Sequence, residues 1–98
     1  MMINILVTLE VKDFHYLEIF EGKAVEIMNT HGASVIIAFE TFLNTDGSGQ
    51  EIHLLEFPSD SEFSEYRSGS RLLEHVELRN KVILSTVVVK SRELKKYI

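Results

Sequence analysis

"EIHLLEFPSDSEFSEY", Glu51 to Tyr66, decides the fold. Its first half reads as a strand, with His53, Leu55 and Phe57 alternating with Ile52, Leu54 and Glu56. Pro58, the only proline of the chain, ends it, because proline cannot donate to a sheet ladder. Ser59 and Glu62 then form a Ser-x-x-Glu capping box, in which each side chain satisfies a backbone donor at a helix start. Phe63 and Tyr66 ride on the helix that follows.

Before this stretch, "NTDGSGQ" (Asn44 to Gln50) is a turn, and "ASVIIAFETFL" (Ala33 to Leu43) is a second strand paired through it as a hairpin. Further back, "FHYLEIFEGKAVEIMNTH" is an amphipathic helix capped by Asp13 and closed by Gly32. Leu17, Phe20, Ala24, Ile27 and Met28 share its apolar face, with Phe14 and His31 at the margins. Tyr16 and Ile19 fall outside that stripe. The chain opens on "INILVTLEV", where Ile3, Ile5, Val7, Leu9 and Val11 share one side.

After Tyr66, "SGS" (Ser68 to Ser70) breaks the helix, and "RLLEHVELR" is a short helix with Leu72, Leu73 and Val76 as its apolar positions. "KVILSTVVV" (Lys81 to Val89) is the last strand, and "KSRELKKYI" a polar tail with room for one helical turn. The order strand, helix, strand, strand, helix, strand is the ferredoxin-like βαββαβ arrangement, an α+β fold with a four-stranded antiparallel sheet. It assigns residues 1–90 to a single domain and 91–98 to the tail.

At 98 residues the chain is one domain of ordinary size. Cysteine is absent, which excludes a disulfide framework, a thiolate metal site and a cysteine nucleophile. A net charge of −5 argues against nucleic-acid binding. The basic tail residues Lys90, Arg92, Lys95 and Lys96 read as a solvated end. No signal peptide is visible, and no apolar run approaches the roughly 20 residues of a membrane helix. A soluble cytoplasmic protein is the expectation.

Two strands are apolar on both sides. Simple alternation sets Val35, Ile37 and Phe39 against Ile36 and Ala38, and Val82, Leu84 and Val88 against Ile83, Val87 and Val89. Two helices cover one sheet face only. A second copy of the sheet is the economical cover for the other, which predicts a homodimer packed face to face.

The element order, the doubly apolar strands and "LLEFPSDSEFSEYRSGS" together resemble the dimeric α+β barrel superfamily, in which two such sheets pack against each other. Within it the likeness is to small bacterial proteins of unassigned function. They carry a Glu-Phe-Pro-Ser strand end, here Glu56 to Ser59, then helix aromatics, here Phe63 and Tyr66, and a Ser-containing break, here Ser68. "NTHGA" resembles their His-Gly junction at His31 and Gly32. The chain departs from that pattern at Gly69, where proline is frequent, and lacks a tryptophan in the second helix. The superfamily includes antibiotic-biosynthesis monooxygenases, haem-degrading enzymes, ligand-sensing domains and many proteins with no known activity. The resemblance therefore implies a cavity, not a reaction.

His15, His31, His53 and His75 show no zinc-type spacing, so no metal site is expected. His31 suits a helix C-terminus, and His15 a solvated first turn. His75 lies roughly where haem-degrading relatives place their iron ligand, but the tryptophan of their pocket is missing, and no cofactor is assigned. Alternation turns His53 toward the sheet–helix cleft and Glu56 toward the dimer side. Glu56 and Glu40 would need partners such as Arg79, Arg71 or Lys81 if buried. The reading is a small organic molecule bound in the cleft, with His53 or His75 as catalytic acid–base candidates and Thr8, Tyr66 and Arg79 as ligand contacts. The alternatives are a cofactor-independent monooxygenase or haem-degrading enzyme, and a non-enzymatic ligand-sensing or assembly module.

Overall fold

The computed structural model describes residues 2–92, 95 and 97. Its elements are β1 (Ile3–Val11), α1 (Phe14–Thr30), β2 (Ser34–Leu43), β3 (Gly49–Phe57), α2 (Asp60–Ser68), α3 (Ser70–Leu73), α4 (Val76–Val82) and β4 (Ile83–Lys90). The four strands pair antiparallel in the order β2-β3-β1-β4. This is the ferredoxin-like α+β fold expected from the element order. The turn expected in the tail falls largely on residues outside those described.

Local chemistry sets the element ends. Asp13 caps α1 by accepting from the His15 backbone N–H at 2.9 Å. Gly32 closes α1 with φ of 71°, the left-handed conformation that glycine adopts without a Cβ clash. Ser59 Oγ accepts from the Glu62 N–H at 3.1 Å, which is one half of the capping box. The Glu62 carboxylate does not turn back to Ser59. It accepts from His31 Nδ1 at 2.8 Å and ties the end of α1 to the start of α2.

The core lies between the helices and one sheet face. Leu17, Phe20, Ala24, Ile27 and Met28 of α1 are buried against Ile5, Val7, Leu9 and Val11 of β1 and Leu55 and Phe57 of β3. Each large apolar side chain fully buried there contributes about 1.5–3 kcal/mol. Phe57 is fully enclosed and meets Phe63 edge-on, with ring centroids 5.1 Å apart.

Three sequence readings are corrected. "RLLEHVELR" is two helices, α3 and α4, joined at His75, and α4 continues to Val82, so Lys81 and Val82 are helical and the last strand begins at Ile83. The β2 register slips between Val35 and Ile37 and again between Glu40 and Phe42. Val35 therefore pairs with Leu55 on the helix side, while Ile37 and Phe39 pair with Leu54 and Ile52 on the opposite, open side. A similar slip between β1 and β4 pairs Ile83 with the core residue Val11 and Val88 with Val7, and Leu84 is left exposed as are Val87 and Val89. Each bulge adds one residue to one strand and so reverses the alternation beyond it.

The open sheet face is strongly apolar. Leu6, Ile37, Phe39, Phe42, Leu84, Val87 and Val89 all keep large exposed surfaces, 70% for Leu84. Among the described residues no helix is long and apolar enough to cross a membrane.

Candidate functional site

Between the sheet and the helices lies a cavity of about 400 Å³. Val7 and Leu9 form its floor, and Phe20, Ala24 and Met28 of α1 and Leu72, Leu73 and Val76 of the α3–α4 segment are among its walls. Phe57 and Phe63 are packed with Tyr66, so aromatic rings do not fill the space. Leu73 and Val76 stay partly exposed where the short helices flank the cavity, a placement that their apolar character does not explain by core packing.

One polar group is deep in this apolar wall. His53, 4% exposed, stands on β3 between Val7 of β1 and Ala38 of β2. Its Nε2 donates to Glu51 Oε1 at 2.6 Å. Its Nδ1 is 3.9 Å from Glu21 Oε2 of α1. With Nε2 bonded to Glu51, the ring is held in one orientation and Nδ1 is left to exchange a proton. Burial pushes the Glu21 carboxyl above the usual range, opposed by the His53 charge and aided by the nearby Glu51. A buried histidine hydrogen-bonded to one carboxylate and close to a second has the geometry to take a proton from a bound molecule and return it.

Tyr66 lies beside this group, its ring 5.5 Å from that of Phe57. Burial and the Glu21 charge raise its pKa, against the pull of Arg67 and Arg79, so its hydroxyl stays a donor. Arg79 of α4 donates from Nη2 to Thr86 Oγ1 at 2.7 Å. Arg67 of α2 lies over the Phe63 ring, 5.6 Å from its centroid.

Of the residues singled out in the sequence, His53, Tyr66 and Arg79 line the cavity together. Thr8 does not, because it pairs with Ile52 and Val87 on the open side of the sheet. His75 is half-buried at the start of α4 and is not part of the lining. Glu56 pairs with Asn4 and Ser34 on the open side, whereas Arg79 is on the helix side at Thr86. Glu40 is exposed on the edge strand, so it needs no buried partner.

Glu51, Glu21 and Arg67 were not singled out. Glu51 carried a usable signal, because it precedes His53 by two residues and so shares its strand face. Glu21 carried another, since it lies one helical turn after Leu17 and within the apolar stripe of α1. Outside the cavity, His31, Glu62 and Glu65 bring one ligand-type atom each within 4.8 Å of the others. The His31–Glu62 hydrogen bond between α1 and α2 accounts for that grouping.

No family model matches this chain, and no curated protein matches it. Solved structures do. A protein of unknown function from Rhodopseudomonas palustris is similar over 97% of this chain and 84% of its own, with TM-score 0.76 and 14% identity. A NIPSNAP family protein of unknown function from Agrobacterium tumefaciens is similar over 92% of this chain and 86% of its own, with TM-score 0.66 and 18% identity. SnoaB, a cofactor-independent oxygenase from Streptomyces nogalater, is similar over 98% of this chain and 96% of its own, with TM-score 0.73 and 6% identity. At these identities the likeness shows the fold alone, the ferredoxin-like α+β arrangement of a four-stranded antiparallel sheet with helices on one face.

Proposed function

We propose that this chain binds a small, partly apolar organic molecule in the cavity between sheet and helices, and that the His53–Glu51 pair moves a proton to or from it. The observation that carries this reading is a buried, carboxylate-held histidine facing a largely apolar cavity of about 400 Å³ with a few polar groups at its ends. That volume lies within the range of small-molecule sites, about 300–1,000 Å³. In this reading His53 is the acid–base group, Glu51 orients it, and Tyr66 and Arg79 hold polar groups of the ligand. The chain works as a homodimer, with the open apolar sheet faces packed together, because an apolar face of that extent is unfavourable in water.

A second reading is oxygenation without a cofactor. Its support is the fold likeness to SnoaB, a cofactor-independent oxygenase, together with a buried histidine placed to act as a base toward an activated C–H or O–H group. The haem-degrading alternative has less support, because His75 is not among the residues around the cavity.

The test is a binding screen of small organic molecules, read by thermal shift and by NMR of the His53 ring, followed by product analysis for each binder. Binders that shift the His53 resonances and lose affinity in His53→Gln support the reading. Product formed by the wild type and not by His53→Gln supports proton transfer, and oxygen uptake with it favours the second reading. Binding without product points to a sensor. Binders that all map away from the cavity would refute the proposal.

A further inference from the structure

The cavity has two poles of opposite charge, set apart by the sheet register. On β3, His53 is in line with Val7 and then Val88 of β4, and Glu51 is in line with Leu9 and then Thr86. Adjacent strands lie about 4.8 Å apart, so β3 and β4 are separated by about 10 Å across β1. The β3 side holds Glu51, His53 and, from α1, Glu21. The β4 side holds Arg79 on Thr86, with Arg67 reaching over from α2.

Acidic groups outnumber basic ones in this chain, 15 to 10. Arg67 and Arg79 nevertheless form no ion pair among the described residues, although both border the cavity. Two unpaired guanidiniums attract an anion, and two carboxylates at the other pole repel it. Apolar Val7 and Leu9 lie between the poles.

We infer that the ligand is a small aromatic or alicyclic acid, with its carboxylate between Arg67 and Arg79, its ring over Val7 and Leu9, and a hydroxyl or enolisable carbonyl at His53. This rests on the cavity being the binding site. It adds the class of molecule, its orientation, and Arg67 as a specificity-determining residue.

Titrating the full chain with para-hydroxyphenylacetate, phenylacetate and para-hydroxyphenylethanol, followed by NMR, tests it. The hydroxy acid is expected to bind tightest and to shift the His53 ring. Phenylacetate is expected to bind without that ring shift, and the alcohol about tenfold more weakly than the acid. Arg67→Gln is expected to weaken the acid about tenfold and leave the alcohol unchanged. Arg67 is exposed, so this variant folds, whereas Arg79→Gln also gives up the bond to Thr86. Equal binding of acid and alcohol, or equal effects of Arg67→Gln on both, overturns the two-pole assignment and leaves the cavity reading intact. Absence of any shift in cavity residues with all three probes overturns the inferred ligand class, and shifts that all map outside the cavity overturn the cavity reading with it.

Discussion

Replacing Val87 with aspartate should take the proposed dimer apart. Val87 is on β4 opposite Thr8 and keeps 59% of its surface exposed on the open sheet face. Burying that remainder contributes about 1–2 kcal/mol per copy, scaled from about 1.5–3 kcal/mol for a whole valine. A two-fold interface counts the loss twice. The introduced carboxylate adds a desolvation cost of several kcal/mol per ion when no cation faces it. Together these exceed about 5 kcal/mol, more than a thousandfold in the dimer dissociation constant at about 1.4 kcal/mol per tenfold. Sedimentation velocity or light scattering at micromolar concentration reads the outcome. The wild type should be a dimer and Val87→Asp a monomer with an unchanged far-UV spectrum. Ile19→Asp, on the outer side of α1, should leave the dimer intact. A monomeric wild type, or a Val87→Asp dimer of unchanged affinity, would refute the reasoning. Dissociation by Ile19→Asp alone would move the interface to the helices.

Three further outcomes follow from the packing. The folded-state pKa of Glu21 is raised, so its stability contribution is complete below the unfolded value and is lost as pH rises through the folded value. Glu21→Gln should therefore melt higher than the wild type at neutral pH, with the gain fading as pH falls toward about 4, and a melting series across pH checks it. Phe57→Ala should cost about 3–5 kcal/mol in urea unfolding, since it empties a fully enclosed site against Phe63 and Tyr66. Two alanine substitutions should have opposite signs in the same assay. Gly49→Ala drives a Cβ into the Phe42 carbonyl oxygen and to 2.8 Å from the Phe14 ring, and should destabilise by about 1–3 kcal/mol or more. Gly22→Ala, in the middle of α1 with nothing within 4 Å, should stabilise by about 0.5–1 kcal/mol.

Element order, the buried stripe of α1 and the ends at Asp13, Gly32, Pro58 and Ser59 were legible in the sequence. Each depends on residues within one or two turns of each other, through caps, proline's missing donor and the 3.6-residue and two-residue periods. The cleft-facing side of His53 was legible for the same reason, since β3 runs without a bulge against β1. Strand faces of β2 and β4 were not. A single inserted residue reverses them, and where a bulge falls is set by pairing with a distant strand. That is why Ile37 and Leu84 were assigned to the wrong neighbours, while the conclusion that the open face is apolar survives, because residues on both sides of those strands are apolar. Whether Thr8, His75 and Arg79 reach one cavity also depended on the tertiary structure. Register turned Thr8 outward, the α3–α4 break set His75 outside the lining, and α4 brought Arg79 onto Thr86. The sequence by itself determined which segments form elements and where they stop. Only the tertiary structure decided which of their side chains meet, because Glu21, His53 and Arg79 are brought together by helix-on-sheet packing between residues far apart in the chain.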